Sequence, residues 1–168
     1  PDIYVCSSTD ARPEHRKNLL FINNGDLTFT ESAVQYGIAD TSYSVHSAFF
    51  DYDKDGDLDL FVLNHSLDRS KTMAELKNER NPGYEERLYK NTGGKFIDVS
   101  KETGMIQNVM NYGLGIAVAD FNNDNWPDIY ICNDYFQKDH LYINRMNGTF
   151  SEEIDKYFDN ISFASMGN

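Results

Sequence analysis

At 168 residues, with 40% hydrophobic and 14% aromatic side chains, the chain holds enough apolar material for one domain with a packed core, so it is no disordered tail. Its formal charge of −12 excludes nucleic acid or an anionic membrane surface as a default partner. No stretch approaches the roughly twenty apolar residues of a membrane span, and no charged-then-apolar leader precedes Pro1, although a leader can be cleaved or lie outside this stretch.

Pro1-Asp2-Ile3-Tyr4-Val5-Cys6 returns almost letter for letter as Pro127-Asp128-Ile129-Tyr130-Ile131-Cys132, the first sign of an internal repeat. Past the linker 8–19, the run from Leu20 to Glu31 reads as two short strands around an Asn-Gly turn. Related hairpins start at Leu88-Tyr89-Lys90-Asn91 and Leu141-Tyr142-Ile143-Asn144. Each hairpin leads into a short segment, 33–37 and 100–104 in the first two copies, and then into a strand: Ser47 to Phe50, and Gly113 to Ala119.

Those strands feed two acidic loops. In the first, Asp51, Asp53, Asp55 and Asp59 stand at positions 1, 3, 5 and 9, with Gly56 at position 6. Alternate residues of a tightly curled loop point inward, so several carboxylates converge where a hard cation such as Ca²⁺ offsets their repulsion. An EF-hand would place a bidentate Glu at position 12 and continue as a helix. Position 12 here is Val62, inside the run Leu60-Phe61-Val62-Leu63, which suits a buried strand. The loop must therefore close at Asp59 and open into a sheet. An acidic turn without metal is the plain alternative, but the pattern recurs 69 residues later at Asp120, Asn122, Asp124 and Asp128, again followed by an apolar run. Asp2 is then the remnant of a third site, giving two complete calcium loops and one partial one.

Between Asn64 and the second hairpin, residues 65–87 make 23, against 7 for 134–140. The longer connection predicts a short helix over 72–80, stopped by Asn81-Pro82-Gly83. The tail 163–168 aligns with the start of a lead-in strand, so both ends are expected to cut through a repeat. Counted from the closing aspartates, the repeats run approximately 2–58, 59–127 and 128–168. Cys6 and Cys132 hold equivalent repeat positions, which are normally too far apart for a disulfide, and are expected as buried thiols.

A unit of lead-in strand, loop, strand and hairpin has four strands, and tandem units of this kind make the blades of an all-β propeller. Because propellers close with roughly four to eight blades, further blades, from a longer chain or from other chains, are the expected partners. The loop and strand Asp-x-Asp-x-Asp-Gly-Asp-Leu-Asp-Leu-Phe, with the hairpin Leu-Tyr-Lys-Asn-Thr-Gly-Gly-Lys-Phe-Ile-Asp-Val, resemble the FG-GAP/VCBS repeat. That is the propeller repeat of integrin α-subunits and of many secreted bacterial proteins, including those similar to cartilage acidic protein. The literal Phe-Gly and Gly-Ala-Pro words are absent, Tyr112-Gly113-Leu114-Gly115 standing nearest. The resemblance implies a calcium-stabilised module that is extracellular, at the cell surface or periplasmic, used for adhesion or recognition of a protein or glycan. Carried over by position, it adds the Asp57 and Trp126 carbonyls to the two metal sites.

In the second loop Asn122 replaces an aspartate and Asn125 replaces the turn glycine, so the second loop is expected to bind metal more weakly than the first. No enzyme constellation is present: His15, His46, His65 and His140 lack paired spacing, and there is no Gly-x-Ser-x-Gly elbow or phosphate-cradling loop. A glycosidase carboxylate pair and a purely structural spacer remain as alternatives to recognition. The acceptors Asn64-His65-Ser66, Asn147-Gly148-Thr149 and Asn160-Ile161-Ser162 are about as many as this composition produces by chance.

Overall fold

The computed structural model describes residues 1–66, 75, 79–107, 110–135, 137–162 and 165. Among the described residues eleven strands form three antiparallel sheets. The first holds β1 (Ile3–Val5), β2 (Leu19–Asn23) and β3 (Phe29–Glu31). The second runs in order β4 (Ser44–Phe50), β5 (Asp59–Asn64), β6 (Arg87–Asn91) and β7 (Phe96–Asp98). The third repeats it as β8 (Gly113–Ala119), β9 (Asp128–Asn133), β10 (His140–Asn144) and β11 (Phe150–Glu152). Strand order equals chain order within each sheet, as in a propeller blade. Single helical turns follow two hairpins: α1 (Ala33–Tyr36) and α2 (Ile154–Tyr157).

The repeat extends to register. Phe50 pairs with Asp59 and Ala119 with Asp128, so each acidic loop connects the first two strands of its sheet. Both pairs also carry an irregularity at the far end, between Ser44 and His46 and between Gly113 and Gly115. Asn23, Asn91 and Asn144 face Phe29, Phe96 and Phe150 across the three hairpins. The first and third hairpins turn on three residues, 25–27 and 146–148, and the second on two, Gly93 and Gly94, both with positive φ. Asn24 N–H donates to Thr28 O at 3.0 Å, Thr92 to Lys95 O at 2.7 Å and Arg145 to Thr149 O at 2.9 Å. The Asn-Gly pair is thus part of a longer loop, because Leu27 as well as Gly25 takes a positive φ.

All six residues of β5 are buried, which is how a strand covered on both faces reads. Leu60 and Val62 pack with Leu20, Ala33 and Ile38 toward the first sheet. Phe61 and Leu63 face the other way, with Ile129, Ile131 and Tyr142 of the third sheet. A Cβ on Gly113 would come 2.4 Å from Leu63 Cδ1, so β8 approaches β5 to a distance only glycine permits. Gly37 and Gly104 are equivalent too: each has positive φ, and a Cβ there would lie 2.9 Å from the carbonyl oxygen of Phe96 or Phe150 on the following sheet. The flank of the first sheet leaves Ile3, Val5 and Phe29 exposed.

Neither cysteine forms a disulfide; Cys132 is buried, as expected, whereas Cys6 lies past the end of β1 and is only half-buried. Most of the helix expected over 72–80 and most of the tail 163–168 lie outside the described residues, but the stop signal is seen: Tyr84 N–H donates to Asn81 O at 2.9 Å. Among the described residues no helix is long and apolar enough to cross a membrane.

Candidate metal centre

Each acidic loop is built from its own backbone donors. In the first, Asp55 N–H donates to Asp51 Oδ1 and Gly56 N–H to Asp51 Oδ2, both at 3.1 Å. Asp57 N–H reaches Asp55 Oδ1 at the same distance. In the second, Asp124 N–H donates to Asp120 Oδ1 at 3.0 Å, Asn125 N–H to Asp120 Oδ2 at 2.8 Å and Trp126 N–H to Asp124 Oδ1 at 2.7 Å. The loops share their backbone signature, with positive φ at Lys54 and Gly56 and at Asn123 and Asn125. Asn125 adopts the left-handed conformation that glycine supplies in the first loop, which asparagine tolerates better than most residues.

The closing aspartates are the fixed points. Asp59 and Asp128 are fully buried, and each carboxylate spans two elements. Asp59 accepts Tyr52 N–H at 3.1 Å on one oxygen and Asn91 N–H at 2.8 Å on the other. Asp128 accepts Phe121 N–H at 2.9 Å and Asn144 N–H at 2.8 Å. Asp2, although exposed, accepts Asn23 N–H at 2.8 Å and so keeps half of the arrangement. The asparagine side chains complete a clasp, their Nδ2 groups reaching the carbonyl before each aspartate: Pro1 at 3.4 Å, Leu58 at 3.1 Å and Pro127 at 3.2 Å. Burial pushes the Asp59 carboxyl up to about 6 despite those two donors, and raises Asp128 for the same reason.

Only the first loop gathers three carboxylates. Ligand atoms of Asp51, Asp53 and Asp59 lie within 4.8 Å of one another, and Asp53 Oδ1 is buried without a hydrogen-bond partner. Asp55 joins them through Lys90, whose ammonium contacts Asp53 and lies 3.1 Å from Asp55 Oδ2. These two acids hold the lysine charged and raise its pKa, while the Asp57 N–H and Lys90 lower that of Asp55. An all-oxygen donor set, an orphaned buried acceptor and a cationic side chain standing in the cluster all fit a hard cation. In the second loop the amide of Asn122 donates to Asp124 Oδ2 at 2.8 Å, so asparagine satisfies the neighbour that a metal would otherwise draw in.

Asp57 is exposed and Trp126 half-buried. The loops are neighbours: Lys54 Nζ sits 4.9 Å above the Trp126 ring, and Asn144 Nδ2 donates to Tyr52 O at 2.8 Å. Sequence reasoning missed Lys90 and the clasp asparagines. Lys90 had a signal, since the same hairpin position is Ile22 and Ile143 in the other copies. The asparagines were legible only as turn residues, a role they do share: their Oδ1 atoms accept from Gly25, Gly94 and Met146.

A comparison with curated proteins finds no match. The sequence profile described as FG-GAP-like repeat matches residues 1–62 and 120–167, more than half of the chain, and these spans carry both acidic loops and two of the three hairpins. With three repeated sheets, two loops of common geometry and this match, the chain belongs to the FG-GAP-like repeat family.

Proposed function

We propose that the chain is a calcium-stabilised β-propeller module working outside the cytoplasm in adhesion or recognition, with no catalytic step. The carrying observation is the first loop, where Asp51, Asp53 and Asp59 converge around an unpartnered buried oxygen and a lysine ammonium holds Asp53 and Asp55. Asp51, Asp53, Asp55 and Asp59 would hold one ion, and Asp120, Asn122, Asp124 and Asp128 a second. Family resemblance adds the Asp57 and Trp126 carbonyls. Bound calcium would supply positive charge to a loop whose closing residue begins a core strand, so metal binding and sheet packing reinforce each other.

An exterior setting is in keeping with this reading, since calcium sites of extracellular modules bind at about 10⁻⁴–10⁻³ M, levels available outside cells. The exposed Ile3, Val5 and Phe29 on the outer face of the first sheet suit a further sheet of the same kind as partner.

Thermal unfolding in excess calcium and in EDTA tests the reading. At a concentration ten times the dissociation constant, binding contributes about 1.4 kcal/mol per site. For a domain of this size that raises Tm by about 3–6 °C per occupied site. Asp53→Asn is expected to remove most of the gain. An unchanged Tm together with no heat of calcium binding would refute the metal assignment. A protein and glycan array with and without EDTA tests recognition: calcium-dependent capture supports it, and a silent array favours a spacer.

A further inference from the structure

On the sheet ends away from the acidic loops, the connections at 13–16, 40–43 and 81–87 line an open cleft of about 430 Å³ between the first and second sheets. That lies within the range of about 300–1,000 Å³ typical of small-ligand sites. Arg16 lines it with only 6% of its surface exposed. Its guanidinium carbon is 3.8 Å above the Tyr43 ring, and Nη1 donates to Asp10 O at 3.0 Å and Ala11 O at 2.8 Å. Nε is buried and has no acceptor, and among the described residues no carboxylate pairs with this arginine. Among the described residues Nη2 has no hydrogen-bond acceptor either, which leaves the Nε–Nη2 edge, the edge that takes a carboxylate side-on through two parallel bonds.

The other charged groups of the wall are already engaged. Arg87 donates to Pro82 O at 2.6 Å and lies 3.5 Å from Asp98 Oδ2. Asp40 accepts the Tyr89 hydroxyl at 3.0 Å and Ser42 N–H at 2.7 Å. The unmet requirement is therefore one planar anionic acceptor beside Arg16. Tyr43 and Tyr84 stand next to it, ring centroids 5.2 Å apart, and offer apolar surface of the kind that covers a sugar ring. A net charge of −12 repels polyanions at long range and admits a small ligand carrying a single carboxylate.

We propose that this cleft binds a uronic acid residue, its carboxylate side-on against the Nε–Nη2 edge of Arg16 and its ring against the Tyr43–Tyr84 pair. The proposal rests on the recognition reading above and gives it a ligand class and a place.

The test titrates methyl β-D-glucuronide, methyl β-D-glucoside and N-acetylglutamate into the calcium-loaded protein by calorimetry and by NMR of the arginine Nε–H groups. The wild type is compared with Arg16→Gln and with Thr41→Trp, the latter an exposed cleft-lining position where an indole obstructs the cleft without touching the core. Expected are binding of the glucuronide with a shift of the Arg16 Nε–H, and at least tenfold weaker binding of the glucoside, of N-acetylglutamate and of both variants. Absence of glucuronide binding, equal binding of the glucoside or of N-acetylglutamate, or undiminished affinity in Thr41→Trp overturns the proposal. Should Arg16→Gln fail to fold, Thr41→Trp decides. Calcium-dependent capture of another ligand on the array, without glucuronide binding, would sink this site and leave the recognition reading standing.

Discussion

The ammonium of Lys90 reaches Asp53 and lies 3.1 Å from Asp55, so one side chain already brings to the first loop the positive charge that a metal would supply. The sequence favours the first loop on charge, with aspartate at position 3 where the second has Asn122. Lys90 works against that advantage as an internal competitor. Partly exposed ion pairs contribute about 0.2–1 kcal/mol each, so losing two of them should tighten calcium at the first loop roughly two- to thirty-fold. Lys90→Ile, the residue that both other hairpins carry at this position, is expected to show that tightening by calorimetry, together with a lower metal-free Tm as the acids lose their counter-charge. Unchanged or weaker calcium binding in the variant would show that the ammonium is no competitor. The lysine's identity was readable in the sequence; its reach was not, because 37 residues separate it from Asp53 and only strand pairing brings them together.

Across the three hairpins one clasp recurs, and its depth grades from copy to copy. Asn23 is half-buried, and its amide reaches Pro1 O at 3.4 Å. Asn144 is 1% exposed, and its amide donates to both Tyr52 O and Pro127 O. A buried polar partner left unsatisfied costs about 1–3 kcal/mol, whereas a solvated one is replaced by water. Urea unfolding should therefore give a loss of about 2–4 kcal/mol for Asn144→Ala, which leaves two carbonyls and a turn N–H without their partner. Asn23→Ala should lose under about 1 kcal/mol. Equal losses would mean that the clasp acts through turn geometry alone, which both copies share. The spacing of Asp and Asn along the chain made loop and hairpin legible as separate motifs. That they lock together is a property of antiparallel register, which sets each asparagine's N–H against the aspartate of the neighbouring strand.

Stability of the whole array has an electrostatic balance that no motif announces. Glu86 is buried between the second and third sheets; among the described residues neither oxygen has a partner within hydrogen-bond geometry, and burial pushes its carboxyl up to about 8 against a smaller lowering by the nearby Tyr142 hydroxyl. His140 on β10 is buried as well, its pKa lowered to about 4 chiefly by burial. The signs oppose each other. A carboxyl whose folded value lies above its unfolded value makes the protein lose stability as pH rises from about 4.5 to 8, since the folded state holds its proton more tightly. A histidine whose folded value is depressed makes it lose stability as pH falls from about 6.5 to 4. Between about pH 4.5 and 6 the losses from Glu86 and from Asp59, the latter pushed up to about 6, outweigh the single gain from His140, so these groups are expected to make the metal-free protein less stable as pH rises from about 4.5 to 8. Glu86→Gln should flatten the decline between pH 6 and 8 in chemical unfolding; an unaltered slope would place the titration elsewhere.

Alternating loop and hairpin words, the strand after each acidic loop and the family resemblance were all available from the chain, because ligand spacing and strand period are local properties set by a few consecutive residues. From these follow the all-β architecture, the first strand connection of the second and third sheets as the candidate metal sites, and the residues that would line them. Three things came only with the tertiary structure. Lys90 enters the first loop, Asn144 bridges from the third sheet to Tyr52 on the second, and Arg16 is buried on Tyr43 beside a cleft that needs an anion. Each joins residues distant in the chain, and the distance is closed by sheet pairing and by the packing of one sheet on the next. A repeat therefore announces its own metal loop, while the groups that compete for the loop, clasp it or meet a ligand are decided by neighbouring strands and sheets.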